Sequence, residues 1–414
     1  MADVTLDIAQ NPPIPHYLIR DVLAKLAYVD ERVKAAEISA AGDLIHINLS
    51  SLVDHVEDRV LRDRVSMLIR QMTDGAFEPE LRVIEEHKPA VRGGVDPLPE
   101  LLASREVVQE GPGVFVLGPL LTQIVSYFES QMIAVAEQLG ATAFRFPALI
   151  SPRYLERVQY FKNFPHSLTF ATHLCENLPK IQRFSEEARV DNGAICADSE
   201  MFAAPDAMLS PTVCHHLYLA LSDTELDAAG LVATASGNCF RFESGNMNSL
   251  ERIWNFSMRE IIFVGSDDHV QSGLQEVRDR LRPLFEELGL AYKVITANDP
   301  FFIGTFRDQA AYQAAFELKF EIRASLPYKG DDLAVGSYNR HGDFFGRTLN
   351  IRMPDGSPAC TGCVGIGFER LALAVVAQHG VNPGHWPEAL RRSVAPPGRP
   401  FRFKSLSSDH YKWC

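Results

Sequence analysis

The chain has 414 residues, of which 46% are hydrophobic and 22% charged, and carries a formal net charge of -13. That size and balance fit a soluble globular enzyme with one large core and room for a second, and no apolar run approaches the roughly 18 residues a membrane-spanning helix needs. The acidic balance opposes a broad nucleic-acid-binding face, whose affinity comes largely from neutralised phosphates.

The start, Met1-Ala2-Asp3-Val4, has neither a basic nor an apolar signal region, so a cytoplasmic protein is expected. Seven cysteines then read as thiols or metal ligands rather than a disulfide framework. Leu18, Val22, Leu23, Leu26 and Val29 predict a helix. Leu44 to Leu49 predicts a strand after Gly42-Asp43. Val56, Val60, Val65, Leu68 and Ile69 predict a second helix, followed by a strand near Leu81-Arg82-Val83-Ile84. Residues 88 to 100, rich in Pro and Gly, read as a linker. Residues 1–100 are therefore expected to form a small α/β domain, and residues 101–414 the catalytic domain.

From residue 111 the pattern changes. Leu120, Leu121, Ile124, Val125, Phe128, Met132, Val135 and Leu139 make a wide apolar stripe on one long helix, with Gly140 at its C-terminal cap. Phe144-Arg145-Phe146-Pro147 leads into an extended segment. Residues 240–243 and 260–264 predict two strands flanking a short connection that begins with the polar run Ser244 to Ser249. A helix over 273–289 and strands at 292–295 and 316–322 follow, and a buried helix begins near Phe368. Strands running together with helices to one side predict an α+β fold around a mostly antiparallel sheet. Near the end, Arg391, Arg392, Arg399, Arg402, Lys404 and Lys412 gather basic charge, either as a solvated tail or as a docking site for an acidic partner.

The chemistry-bearing residues lie on or beside these strands. Arg241 and Glu243, two apart, project from one face of a strand. An arginine fork suits a phosphate oxygen, and a carboxylate can accept from an exocyclic amine. Phe256 offers an aromatic face, and Gly365-Ile366-Gly367-Phe368-Glu369-Arg370 brings another arginine to a helix start. Singly, such features are also found as surface ion pairs and tight packing.

In this order and spacing they resemble the class II aminoacyl-tRNA synthetases through all three of their signature motifs. Residues 118 to 147 look like motif 1, the dimer-forming element, so a homodimer through residues 120–139 is implied. Cys239 to Glu243 with Phe256 and Glu260 look like motif 2, and Gly365 to Leu371 like motif 3. Glu286 to Val294, Asn339 to Phe344 and Leu349 to Arg352 are similar to segments of seryl-tRNA synthetases.

Ser210-Pro211-Thr212-Val213-Cys214 places cysteine where the usual seryl family has glutamate. The atypical zinc-dependent seryl-tRNA synthetases and the amino acid:carrier-protein ligases instead hold Zn2+ by Cys, Glu and Cys, and the resemblance maps these onto Cys214, Glu260 and Cys363. Two thiolates and a carboxylate leave one tetrahedral position for a neutral amine. Other readings of the same residues are a buried Cys214 thiol, a half-site of a four-cysteine zinc centre at Cys360-x-x-Cys363, or His215 or His216 in place of Glu260. The resemblance further implies ATP as co-substrate, with Arg241 on the α-phosphate, Glu243 on the adenine amine, Phe256 on the adenine face and Arg370 on the γ-phosphate, and Mg2+ to neutralise the polyphosphate. Asn339, His341 and Asp343 are candidates for the substrate pocket or a polar surface turn.

The connection between the motif 2 strands is short, and no long helical hairpin precedes motif 1. With the acidic balance, this favours a phosphopantetheinylated acyl carrier protein over tRNA as acceptor, and the resemblance to the carrier-protein ligases implies glycine, alanine or serine as the amino acid. The rivals are a seryl-type aminoacyl-tRNA synthetase and a catalytically silent amino-acid or nucleotide sensor.

Overall fold

The computed structural model describes residues 4–51, 54–74, 82–191, 193–247, 249–297 and 318–393. Leu81, Asn248, Phe316, Glu317 and the tail residues Arg399, Arg402, Lys404 and Lys412 lie outside the described residues.

An eight-stranded sheet organises most of the chain. Its strands run in the order Val83–His87, Tyr292–Thr296, Lys319–Leu326, Asp331–Gly342, Cys360–Gly367, Asn255–Gly265, Leu231–Phe240 and Thr142–Ala143. Neighbours pair antiparallel except the last two, which are parallel. Helices Pro119–Gln138, Asp267–Glu287 and Phe368–His379 cover one face. Their Ile124, Phe128, Val277 and Leu371 bury against Ile261, Phe263, Val364 and Ile366, which alternate along the two central strands. This is the expected α+β fold. Arg259, from the same face, ties the sheet to the long helix through Glu129, its Nε 3.0 Å from the carboxylate.

The opposite face is different. At one end Ile262, Val264, Leu217, Tyr218 and Phe345 form a second core. At the other, Ala235, Gly237, Gly365 and Gly367 line up at paired positions of three strands and leave a shallow floor rather than a packed one.

Several elements differ in extent from the sequence expectation. The strand placed at 240–243 is instead Leu231–Phe240, so Arg241 and Glu243 lie just beyond its end. Its partner begins earlier, at Asn255. The helix expected from residue 273 starts at Asp267, where Ser266 caps it by accepting from His269 N at 3.1 Å. The long helix ends as expected: Gly140, at φ 66°, turns the chain, with Gly140 N and Ala141 N reaching back to the Glu137 and Ala136 carbonyls.

Ahead of the large sheet, strands Val4–Ala9, Leu44–Leu49 and Val33–Ile38 form a three-stranded antiparallel sheet with the second of these in the middle. Helices Ile19–Leu26 and His55–Thr73 pack on it around a core of their own, Val22, Leu26, Ile45, Ile47, Leu61 and Val65 among it. Asp54 and Glu57 form a capping box at the start of the second helix, satisfying backbone N–H groups that the first turn would otherwise leave unpaired. The strand Val83–His87 joins the large sheet by pairing with Tyr292–Thr296. The Pro- and Gly-rich segment after it is packed in place. Arg92 N and Gly93 N both reach the Gln378 carbonyl at 3.0 Å, and a Cβ on residue 93 would sit 1.7 Å from the Ala377 carbonyl oxygen.

Candidate active site

Alternation along the central strands sets the site. Phe256, Met258, Glu260 and Ile262 share one face of Asn255–Gly265. Glu260 stands opposite Gly365, and Cys363 opposite Ile262, so Glu260 and Cys363 emerge on that face side by side. Asn339 pairs with Cys363 on the next strand. Cys214 arrives from above, as the first residue of the helix Cys214–Ala220.

These residues converge. One ligand atom from each of Cys214, Glu260 and Cys363 lies within 4.8 Å of the others, and all three side chains are buried. The two Sγ atoms are 4.0 Å apart. Among the described residues no other group of His, Cys, Asp and Glu side chains is so placed. Glu260 is held on both oxygens: Thr212 Oγ1 donates to Oε1 at 2.8 Å, and Cys214 N to Oε2 at 3.0 Å. Asn339 Nδ2 donates to Cys363 Sγ at 3.6 Å and to Ser337 Oγ at 2.9 Å. Burial pushes the Cys214 thiol up, and the contact with Cys214 together with burial pushes Cys363 up. Without a buried positive charge the pair would keep its protons.

The alternative ligand readings fail on geometry. Cys360 and Cys363 are three apart on a strand and so face opposite ways, which removes the half-site of a four-cysteine centre. His215 lies outside the cluster, its ring packed edge-on against those of Tyr154, Tyr160 and Phe345. Burial, then His341 and His216, pushes it down to about 3, so it is neutral. His216 stacks on Phe146, 5.5 Å between ring centres.

Farther along the same face lies a cluster of arginines. Arg241 sits over the Phe256 ring, 5.4 Å from its centre, and its Nε donates to the Pro211 carbonyl at 3.0 Å. Glu243 is ion-paired to Arg252 and lies 3.7 Å from Arg370. Burial raises the Glu243 carboxyl, but Arg252 and Arg370 outweigh it and hold it below the ordinary range. Three arginines stand around this carboxylate, and their guanidinium groups suit a polyphosphate. Glu369 fixes the helix that carries Arg370, since its carboxylate accepts from both Ser257 N, at 2.9 Å, and Ser257 Oγ, at 2.8 Å.

The structure thus brings together Cys214, Glu260 and Cys363 with Asn339 at one end, and Arg241, Glu243, Phe256 and Arg370 at the other. His341 stands behind the first group, its Nδ1 3.4 Å from Tyr218 Oη and 3.2 Å from Thr361 Oγ1. Asp343 turns away, taking Arg347 Nε at 2.6 Å. Sequence reasoning missed Arg252, Thr212, Ser337 and Glu369. Only Arg252, an arginine nine residues past Glu243, carried a signal that could have been read.

Known proteins resemble the chain over most of its length. Amino acid–[acyl-carrier-protein] ligase 2 of Bradyrhizobium diazoefficiens is 32% identical over 312 residues, covering 75% of this chain and 91% of that protein. The chain belongs to the amino acid–[acyl-carrier-protein] ligase family. The ligase is also similar to the type-2 serine–tRNA ligase of Methanopyrus kandleri, 26% identical over 82% of this chain and 68% of that one. Among solved structures, the M. kandleri seryl-tRNA synthetase, crystallised with A. aeolicus tRNASec, superposes with a TM-score of 0.68. That match is 21% identical and covers 95% of this chain and 77% of the other, which establishes the class II synthetase fold. No protein-family model matches the sequence. Among the described residues no helix is long and apolar enough to cross a membrane.

Proposed function

We propose that this ligase activates glycine, alanine or serine with ATP and Mg2+ as an aminoacyl-adenylate, then transfers the aminoacyl group to the phosphopantetheine thiol of an acyl carrier protein. The observation that carries this reading is the placement of the Cys214, Glu260 and Cys363 cluster and the arginine cluster on one sheet face. The donor set fits Zn2+: two thiolates about 2.3 Å from one tetrahedral ion stand roughly 3.8 Å apart, close to the 4.0 Å between these sulfur atoms. Zinc held by the three residues would offer its remaining position to a neutral amine.

In the first half-reaction the amino acid carboxylate forms a bond to the α-phosphorus as the bond to pyrophosphate breaks. Arg241 holds the α-phosphate and Arg370 the γ-phosphate, so both work by positioning and charge stabilisation. Glu243 accepts from the adenine amine, and Phe256 packs on the base. Asn339, beside Cys363, and His341, a layer behind, border the pocket for the amino acid. In the second half-reaction the carrier thiolate adds to the acyl carbonyl, the thioester C–S bond forms, and AMP leaves. The reading includes a cytoplasmic homodimer through residues 120–139, and the exposed apolar side chain of Ile133 on that helix supports the dimer.

The first half-reaction is tested by pyrophosphate exchange with each small amino acid in turn. Exchange with glycine, alanine or serine is expected. None with any amino acid would replace the enzyme by a silent nucleotide or amino-acid sensor. One observation favours a second acceptor: the serine–tRNA ligase match covers 82% of this chain, against 75% for the carrier-protein ligase. The carrier reading is supported by the higher identity, 32% against 26%, and by the 91% of the carrier-protein ligase that this chain spans, against 68% of the serine–tRNA ligase.

A further inference from the structure

The N-terminal unit rests on the segment that carries Glu243. Tyr28, two residues past the helix Ile19–Leu26, donates from Oη to the Phe242 carbonyl at 3.1 Å. In return Ser244 Oγ donates to the Ala27 carbonyl at 3.3 Å. The residues on both sides of Glu243 are therefore tied to consecutive residues of one distant element. Gly245 lies so near the strand Val33–Ile38 that a Cβ there would stand 3.1 Å from the Lys34 carbonyl oxygen. Ser244 itself is held at φ 54°, a backbone conformation that a free loop would rarely keep. The Tyr28 ring also meets the His166 ring edge-on, 5.4 Å between centres. Burial and then the nearby Glu243 charge push the Tyr28 hydroxyl up, so it remains a donor. On the same helix, Asp21 lies within the electrostatic reach of Arg252 and Glu321, and Arg20 pairs with Asp331 at 3.8 Å.

From the other side, Gly113 N donates to the Met247 carbonyl at 2.9 Å, and Trp254 N to the Gly113 carbonyl at 2.8 Å. The connection between the two site strands is thus gripped between the N-terminal unit and the Gly113 turn. A hydrogen bond to each flank of a residue fixes its backbone, and a fixed backbone directs its carboxylate.

We propose that the N-terminal unit is a built-in positioning element for the nucleotide site: Tyr28 and Ala27 clamp Phe242 and Ser244 and so hold Glu243 where the adenine ring is read. Tyr28 is a positioning residue here, acting through Glu243. The base-reading part of the inference rests on the function proposed above for Glu243. The clamp itself rests on the two hydrogen bonds.

The test is steady-state pyrophosphate exchange by the full chain with ATP and with inosine triphosphate, which has a carbonyl in place of the adenine amine. Tyr28→Phe keeps the ring and removes one donor. It is expected to raise the KM for ATP about three- to tenfold and to reduce the preference for ATP over inosine triphosphate to a similar degree. The kcat and the KM for the amino acid should stay within about twofold. Ser244→Ala should move the same two quantities in the same direction. Glu243→Ala is the reference for loss of base reading. If Tyr28→Phe and Ser244→Ala leave the KM for ATP and the base preference unchanged, the clamp is overturned, whatever they do to thermal stability. If they shift the KM for ATP while Glu243→Ala keeps its preference for ATP, the clamp stands and the adenine role of Glu243 is the part that falls.

Discussion

Replacing Cys363 by serine is expected to lower bound zinc from about one equivalent per chain to near zero and to reduce amino-acid-dependent pyrophosphate exchange roughly a thousandfold. Cys363 is buried between Cys214 and Asn339, and Glu260 is already held by Thr212 and the Cys214 backbone. A serine hydroxyl there fills nearly the same space but stays protonated, so two charged ligands would face the ion instead of three. Cys214→Ser should behave alike. Far-ultraviolet circular dichroism should be unchanged, because the sheet around residue 363 is set by backbone pairing with Asn255–Gly265 and Asp331–Gly342. Metal analysis and exchange assays read the two effects separately. Full zinc occupancy and full exchange in either variant would show that the ligand set is wrong.

Arg370→Ala should do the reverse: zinc stays bound while kcat/KM for ATP falls by about two to three orders of magnitude. Arg370 stands near the start of its helix, donating to the Ala334 carbonyl at 3.3 Å and facing Glu243 at 3.7 Å. Removing it deletes the proposed phosphate partner and leaves Glu243 with Arg252 as its near cation, so some loss of stability is also expected. Arg370→Lys separates charge from fork geometry, and should recover only part of the activity. Retention of normal ATP kinetics by Arg370→Ala would remove the γ-phosphate role.

The helices were legible because their apolar residues recur at helical spacing, and the long one also ends on glycine, at Gly140. The strands of the site were harder to see. Leu231–Phe240 reads LVATASGNCF, poor in the β-branched alternation that marks a strand, because its small residues form the floor beneath the site rather than a packed face. Asp331–Gly342 is similarly rich in small and polar residues, and its end, Asn339 to His341, could equally be read as a turn. The three candidate metal ligands span residues 214 to 363, so no local spacing could unite them. Family resemblance drew them together, and strand register supplies the physical reason they meet. The contact of Tyr28 with Phe242 had no such guide, since it arises only when the chain is folded.

The acceptor is tested most directly by incubating the full enzyme with labelled amino acid and ATP, together with phosphopantetheinylated carrier protein, unmodified carrier protein and bulk tRNA in separate reactions. Label is expected on the phosphopantetheinylated carrier alone, in a bond that neutral hydroxylamine cleaves. Label on tRNA with none on the carrier would contradict the account and make the enzyme a seryl-type synthetase.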